Sequence, residues 1–269
     1  MSWRPIVALT VLATCATVHA DSHWYDGAPG KRRLLHVGGS VLGGALYVAS
    51  ETVLKPSLAA SECRWCNPPS LDRSVRDALR WGDTARAAQV SNVTGFVMSP
   101  VVGLGLIAVA SLGSGDARAA RWIDDALPIL ESLEIASLVC QTVKFGVARQ
   151  RPDIHFGDPA RPHELEDNVS FFSGHTTLVF SVATSAGLVA HRRHYKLEPV
   201  IWATGYALAG ATGYLRIAAD RHYFTDVVVG AIAGTGIGVA VPLALHGATL
   251  ARDVAVVPTG RGVAVVGTF

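Results

Sequence analysis

Three groups of polar residues interrupt an otherwise apolar chain, and each could do chemistry on an anion. Lys144 and Arg151 lie seven positions apart, two turns of a helix, so both cations can face one way if a single helix runs through them. Pro152 would then stop that helix. Ser170-Phe171-Phe172-Ser173-Gly174-His175 stands directly before an apolar stretch. Ser173 can cap a helix starting there, Gly174 lets backbone approach closely, and the first-turn N–H groups make an anion seat with His175 at its edge. The third group is Arg216, His222 and Asp226. His222 and Asp226 are four apart, the spacing at which a helical carboxylate can hold an imidazole, fix its tautomer and leave the other nitrogen as base or nucleophile. Arg216 offers a planar fork for a phosphate. Each group alone also has a plainer reading: a basic helix end complementing the dipole, a capped helix with an incidental histidine, a surface ion pair.

The elements that must carry these groups are long stretches without Asp, Glu, Lys or Arg: Leu34–Ser50, Ala87–Gly115, Thr176–Ala190, Pro199–Leu215 and Val227–Ala251. Crossing a bilayer takes ~20 apolar residues. The second and the last are long enough on their own; the others are rich in Gly, Ala and Ser, which suits close packing in a membrane or in a soluble bundle. A sixth stretch, Trp122–Val147, carries Asp124, Asp125, Glu131 and Glu134 in its first half and cannot face lipid all round. With no strand alternation among them, these predict an all-α, six-helix bundle. The segment Lys55–Arg86 reads as an ordered loop plus a short amphipathic helix with Leu71, Val75, Leu79 and Trp81 on one face. Pro152–Asn168 reads as a surface loop. Val254–Val257 and Val263–Val266 flank Pro258-Thr259-Gly260-Arg261-Gly262 and predict a small C-terminal β-hairpin.

Composition narrows the class. Of 269 residues half are apolar and 16% charged, against roughly 25% charged in a typical soluble domain, which excludes disorder. The balance 23 − 21 = +2 provides no strongly basic surface, so nucleic acid is not an expected partner. The mean hydropathy of +0.33 points to a membrane or a very apolar bundle. Arg4, the apolar run Ile6–Val18 and Val18-His19-Ala20 follow the order of a secretory signal peptide cleaved after Ala20. An uncleaved anchor and a lipoprotein signal on Leu12-Ala13-Thr14-Cys15 are the other readings. The domain reading is therefore a signal peptide at 1–20, a helical domain at 21–250 and a hairpin tail at 251–269. Export implies an oxidising compartment, where Cys63 and Cys66 read as a structural disulfide. A zinc site would need a second cysteine pair, and Cys140 reads as a buried free thiol. The sequons at Asn92 and Asn168 are short enough to arise by chance.

Taken in order, the spacings K-x-x-x-x-x-x-R-P, S-G-H and R-x-x-x-x-x-H-x-x-x-D resemble the type 2 phosphatidic acid phosphatase and vanadium haloperoxidase superfamily over roughly Leu34–His246. Here they stand as Lys144 to Pro152, Ser173-Gly174-His175 and Arg216 to Asp226. Two positions depart from the family pattern: Phe172 where Pro is usual, and Leu215 where Ser is usual. The resemblance implies that His222 attacks phosphorus and forms a phosphohistidine, that Asp226 orients it, and that His175 protonates the leaving oxygen. Lys144, Arg151 and Arg216 would hold the phosphoryl oxygens, completed by the Ser173 hydroxyl and the Gly174 N–H, with no metal and no cofactor. The implied activity is a metal-independent phosphatase of phosphomonoesters or pyrophosphates, in the first place those of lipids. A soluble exported non-specific acid phosphatase is the alternative, a vanadium haloperoxidase or a non-catalytic membrane scaffold more remote ones. A scaffold has no need of six polar residues in an apolar bundle.

In the membrane branch of that family the motifs face one side, usually the periplasm. That requires the first core helix and the helix before Lys144 to run outward. Arg118, Arg121, Arg192, Arg193 and Lys196 then fall on the inner side, which favours insertion. Lys31-Arg32-Arg33 favours an inner N-terminus, whereas a cleaved signal would leave it outside. The expected location is the cell envelope, either membrane-embedded with a periplasm-facing site or periplasmic.

Overall fold

In a computed structural model the described residues are 30–112, 118–246, 254–259 and 262–267. The signal-peptide and lipidation readings fall on residues outside them. Among the described residues eight helices stand where six were expected. Helix α1 comprises Gly30–Ala49, a π-helical stretch Ser50–Leu54 and Lys55–Leu58; α2 is Ser70–Leu79. Helix α3 comprises Thr84–Asn92, a π-helical stretch Val93–Met98 and Ser99–Ser111. Then follow α4 (Arg118–Val147), α5 (Pro152–His155), α6 (Gly174–Arg192), α7 (Glu198–Ala218) and α8 (Phe224–His246). The six long ones are the six expected from composition. The additions are the short amphipathic α2 and the single turn α5, which sits in the segment expected to be loop. Val254–Thr259 and Gly262–Gly267 pair antiparallel beyond the bundle.

Helix α6 forms the axis, packed against α8, α7, α4 and α3. From Thr176 to Ala190 every residue except Phe180 is buried. Its hydroxyls do not need outside partners: Thr177 donates to the Ser173 carbonyl, Ser181 to Leu178, Thr184 to Phe180 and Ser185 to Ser181. A stretch free of charge but rich in Ser and Thr can thus be fully interior. Helix α8 meets it through Gly230, Gly234 and Gly238. A Cβ at Gly234 would stand 2.3 Å from the Thr177 carbonyl oxygen, and one at Gly238 2.7 Å from that of Ser181. Only glycine lets the two backbones come this close, the small-residue packing of membrane helices.

The outer faces are apolar. Leu34, Leu35, Val41 and Val53 on α1 and Val101 on α3 are each more than 60% exposed. Among the described residues, four helical segments are long and apolar enough to cross a membrane: Arg33–Leu58, Thr84–Ser111, Arg121–Val147 and Phe224–His246. Helix α2 corrects one expectation. Leu71 is 53% exposed and Asp72 is fully buried, so the inward face is led by a carboxylate and not by the leucine. The reason lies in the partner that Asp72 meets, described below.

At one end of the bundle, ion pairs tie the helices together: Arg33 to Asp124 at 2.8 Å and Arg193 to Asp125 at 2.7 Å. The C-terminal end of α1, the C-terminal ends of α4 and α7 and the N-terminal ends of α6 and α8 gather at the other. There they enclose a cavity.

Candidate active site

Helix α4 delivers Lys144 and ends at Val147, earlier than the spacing argument requires. Ala148 adopts a left-handed φ of 48°, which turns the chain off the helix, and Arg151 lies beyond that turn as the residue capping α5. Both cations nevertheless face the same cavity of about 350 Å³. Arg216, the last-turn cation of α7, joins them, and so do Gly174, His175 and His222. The three sequence clusters therefore converge on one hollow.

His222 precedes α8, so helical spacing does not position it. Its Nδ1 meets the Ser170 carbonyl oxygen at 2.8 Å. A carbonyl can only accept, so Nδ1 carries the hydrogen and Nε2 keeps its lone pair. Asp226 Oδ2 lies 3.7 Å from Nδ1, beyond a hydrogen bond. The direct Asp226-to-ring contact expected from the four-residue spacing is thus replaced by a relay: Ser170 donates its hydroxyl to Asp226 Oδ2 at 2.6 Å and offers its carbonyl to the ring. The Tyr223 N–H also donates to Asp226, at 2.9 Å. Burial, with Arg216, Arg151 and Lys144 nearby, holds the His222 imidazole well below its ordinary 6.5, so the ring is neutral near pH 7.

His175 stands across the cavity. Its Nε2 is 2.8 Å from Asn92 Oδ1, and its ring tilts against Phe96 with centroids 4.2 Å apart. Gly95 lies between these partners, and a Cβ there would come within 2.9 Å of the His175 ring. Ser173 departs from its expected role. It is fully buried, its Oγ accepts from the Thr176 hydroxyl at 2.9 Å and caps α6, and it does not line the cavity. Gly174 does line it, with the Lys144 Nζ 3.2 Å from where its Cβ would be.

Glu166, Lys55 and Glu51 had no sequence signal, and they enter the site through the predicted cations. Arg151 donates through Nε to the Glu166 carbonyl at 2.7 Å and through Nη2 to the Glu166 carboxylate at 2.6 Å. Lys55 of α1 reaches the same carboxylate and pairs with Glu51 at 2.7 Å. Burial alone would raise the Glu166 carboxyl, but Arg151 and Lys55 outweigh it and hold it down to about 2. Arg216 donates to Ser91 Oγ at 3.0 Å, its Nε has no hydrogen-bond partner, and among the described residues it meets no carboxylate.

Arg149 was missed as well. It bonds Asp72 at 2.6 Å, Thr225 Oγ1 at 2.8 Å and the carboxylate of Asp226, and it lies over the rings of Trp65 at 3.8 Å and Tyr223 at 4.3 Å. This explains the buried face of α2: Asp72 balances a buried guanidinium. It also explains the C-x-x-C. Cys63 and Cys66 form a disulfide around Arg64 and Trp65. Both of those backbone N–H groups donate to the Ala148 carbonyl, and Gln150 donates back to that of Trp65. The loop thereby sets the indole on Arg149. Cys140 is a buried free thiol. The two sequon asparagines have their side chains engaged, Asn92 with His175 and Asn168 with the Ala60 and Ser61 carbonyls.

Two imidazoles, two buried arginines and the half-buried Lys144 line one cavity, an arrangement suited to an anion. The profile of the PAP2 superfamily matches residues 125–249, which take in every cluster from Lys144 to Asp226; that segment is a PAP2-superfamily domain. The match stops ahead of the two C-terminal strands, so the expected hairpin has no support from the family. A lipid A 1-phosphatase of Porphyromonas gingivalis is 34% identical over 95 residues, 35% of this chain and 18% of that protein. The chain thus spans less than a fifth of that relative's length. Among solved structures, a transmembrane PAP2-type phosphatidylglycerolphosphate phosphatase of Bacillus subtilis superposes with a TM-score of 0.42 at 19% identity, over 75% of this chain and 93% of that one. Aquifex aeolicus LpxE superposes with a TM-score of 0.36 at 24% identity, over 57% and 93%.

Proposed function

We propose that the chain is a phosphatase of lipid phosphates, acting on a phosphomonoester or pyrophosphate through a phosphohistidine. The observation that carries this is the bond from His222 Nδ1 to the Ser170 carbonyl inside a cation-walled cavity, because it leaves a neutral Nε2 with its lone pair available. In the first step Nε2 attacks phosphorus, the N–P bond forms and the P–O bond to the alcohol breaks. His175, which takes up a proton when the phosphate dianion offsets the three cations beside it, gives that proton to the departing oxygen and is left neutral. In the second step water attacks the phosphohistidine, His175 takes the water's proton, and phosphate leaves with the ring restored. Lys144, Arg151 and Arg216 hold the equatorial oxygens, where a loose phosphoryl transition state concentrates charge. Asp226 acts through Ser170, and the Gly174 N–H completes the cradle; Ser173 serves it by capping α6.

The lipid reading draws support from the relatedness to a lipid A 1-phosphatase and from four helices fit to cross a membrane. The orientation with the site outward has its own support. Arg33, Arg121, Arg193 and Lys196 lie at the bundle end opposite the cavity, the asymmetry of an inner flank. Phosphate release from a panel of lipid and soluble phosphates, with and without His222→Ala, tests the proposal. It holds if detergent-dispersed lipid phosphates are preferred and the variant is inactive. A preference for soluble esters would favour the acid-phosphatase alternative.

A further inference from the structure

At the bundle end far from the cavity, three helices distant in sequence bring together His36 of α1, Glu131 of α4 and His246 of α8. His36 Nδ1 lies 2.7 Å from Glu131 Oε1, and His246 Nε2 lies 2.6 Å from Oε2. One ligand atom from each residue falls within 4.8 Å of the other two. The two rings stack with centroids 4.6 Å apart at 28°, so both present a nitrogen to the same carboxylate. His246 is twenty positions beyond Asp226 on α8, which at 1.5 Å per residue places the cluster about 30 Å from the catalytic end.

We propose that His36, Glu131 and His246 bind one divalent transition-metal ion of the zinc class, with a fourth position left to water. Two imidazoles and a carboxylate are a recurrent zinc set. Bonds of ~2.0–2.1 Å to a tetrahedral ion put ligand atoms about 3.3 Å apart, so the two imidazole–carboxylate pairs, at 2.7 and 2.6 Å, would open by a little over half an ångström to admit it. Charge points the same way. Side-chain exposure of Glu131 is 8%, and Glu134, three residues on, presses its carboxylate against Gly43 of α1. Neither carboxylate pairs with lysine or arginine among the described residues. Two imidazolium rings stacked against each other would repel, whereas a dication over two neutral rings balances the carboxylates without that cost. The ion would pin α1 to α4 and α8, and it takes no part in phosphoryl transfer.

The test is metal content by mass spectrometry of the full chain, purified in detergent without a polyhistidine tag and dialysed against zinc-free buffer after zinc loading. About one equivalent is expected in the wild type and below about a tenth in the double variant His36→Ala/His246→Ala. If the double variant fails to fold, the wild type alone decides: cobalt substitution should give the visible absorption of a four-coordinate site, and chelation should lower the unfolding temperature by about 5 °C, restored by zinc. Absence of bound metal after zinc loading, or one equivalent retained in the double variant, overturns the proposal.

Discussion

Arg149 and Arg216 are both buried, 1% and 5% exposed. Their surroundings differ. Arg149 is held by two carboxylates, a threonine hydroxyl and two aromatic rings. Arg216 has one serine hydroxyl and an orphaned Nε, and the nearby cations Lys144 and Arg151 add to its charge rather than cancel it. A buried charge is tolerated when paired and costs stability when it is not. The closed network behaves as scaffold, while the open one stores an unmet demand for an anion.

Substitution should pull the two apart. Arg149→Met strands Asp72 and Asp226 without a partner, and should cost about 3–5 kcal/mol of stability, read as loss of the folded fraction in detergent. Arg216→Met removes an uncompensated cation. Turnover should fall by about 10²–10³-fold, while the unfolding temperature stays level or rises. A variant pair in which both lose stability equally would erase the distinction. Gly95→Ala sharpens it on the catalytic side. The added methyl meets the His175 ring, and kcat should drop by roughly 10–10²-fold with KM little changed.

The pH response should be the smallest effect. Because folded His222 is held well below 6.5, the neutral ring persists as pH falls through that value, so kcat/KM should show no acid limb from this group near 6.5. Stability moves the other way. Below about 6.5 the unfolded chain takes up a proton that folded His222 refuses, so this group lowers stability as pH falls and is neutral above it. Thermal unfolding from pH 7.5 to 5 reads the sign directly.

What could be read from sequence was whatever announces itself locally. Lys144, Arg151, His175, Arg216 and His222 stand at or near the ends of long apolar stretches, and all five reach the cavity. The six long helices follow from the charge-free stretches. What could not be read depends on distant pairing. Asp72 and Arg149 are 77 positions apart, so α2 showed only its apolar spacing and Leu71 was put on the wrong face. The Ser170 carbonyl that fixes the His222 tautomer is main chain and leaves no trace in residue type. Ser173 was assigned to the cradle because a hydroxyl before a helix can cap it or bind phosphate, and the sequence is the same either way. Glu166 lay in a segment legible only as loop.

The most direct test is to quench turnover of a phosphate-radiolabelled lipid substrate and find where the label rests. The account predicts a phosphoenzyme that survives alkali and is destroyed by acid, with the label mapped to His222 and absent from His222→Ala. A hydroxylamine-sensitive acyl phosphate on Asp226, or full turnover in His222→Ala, would contradict it.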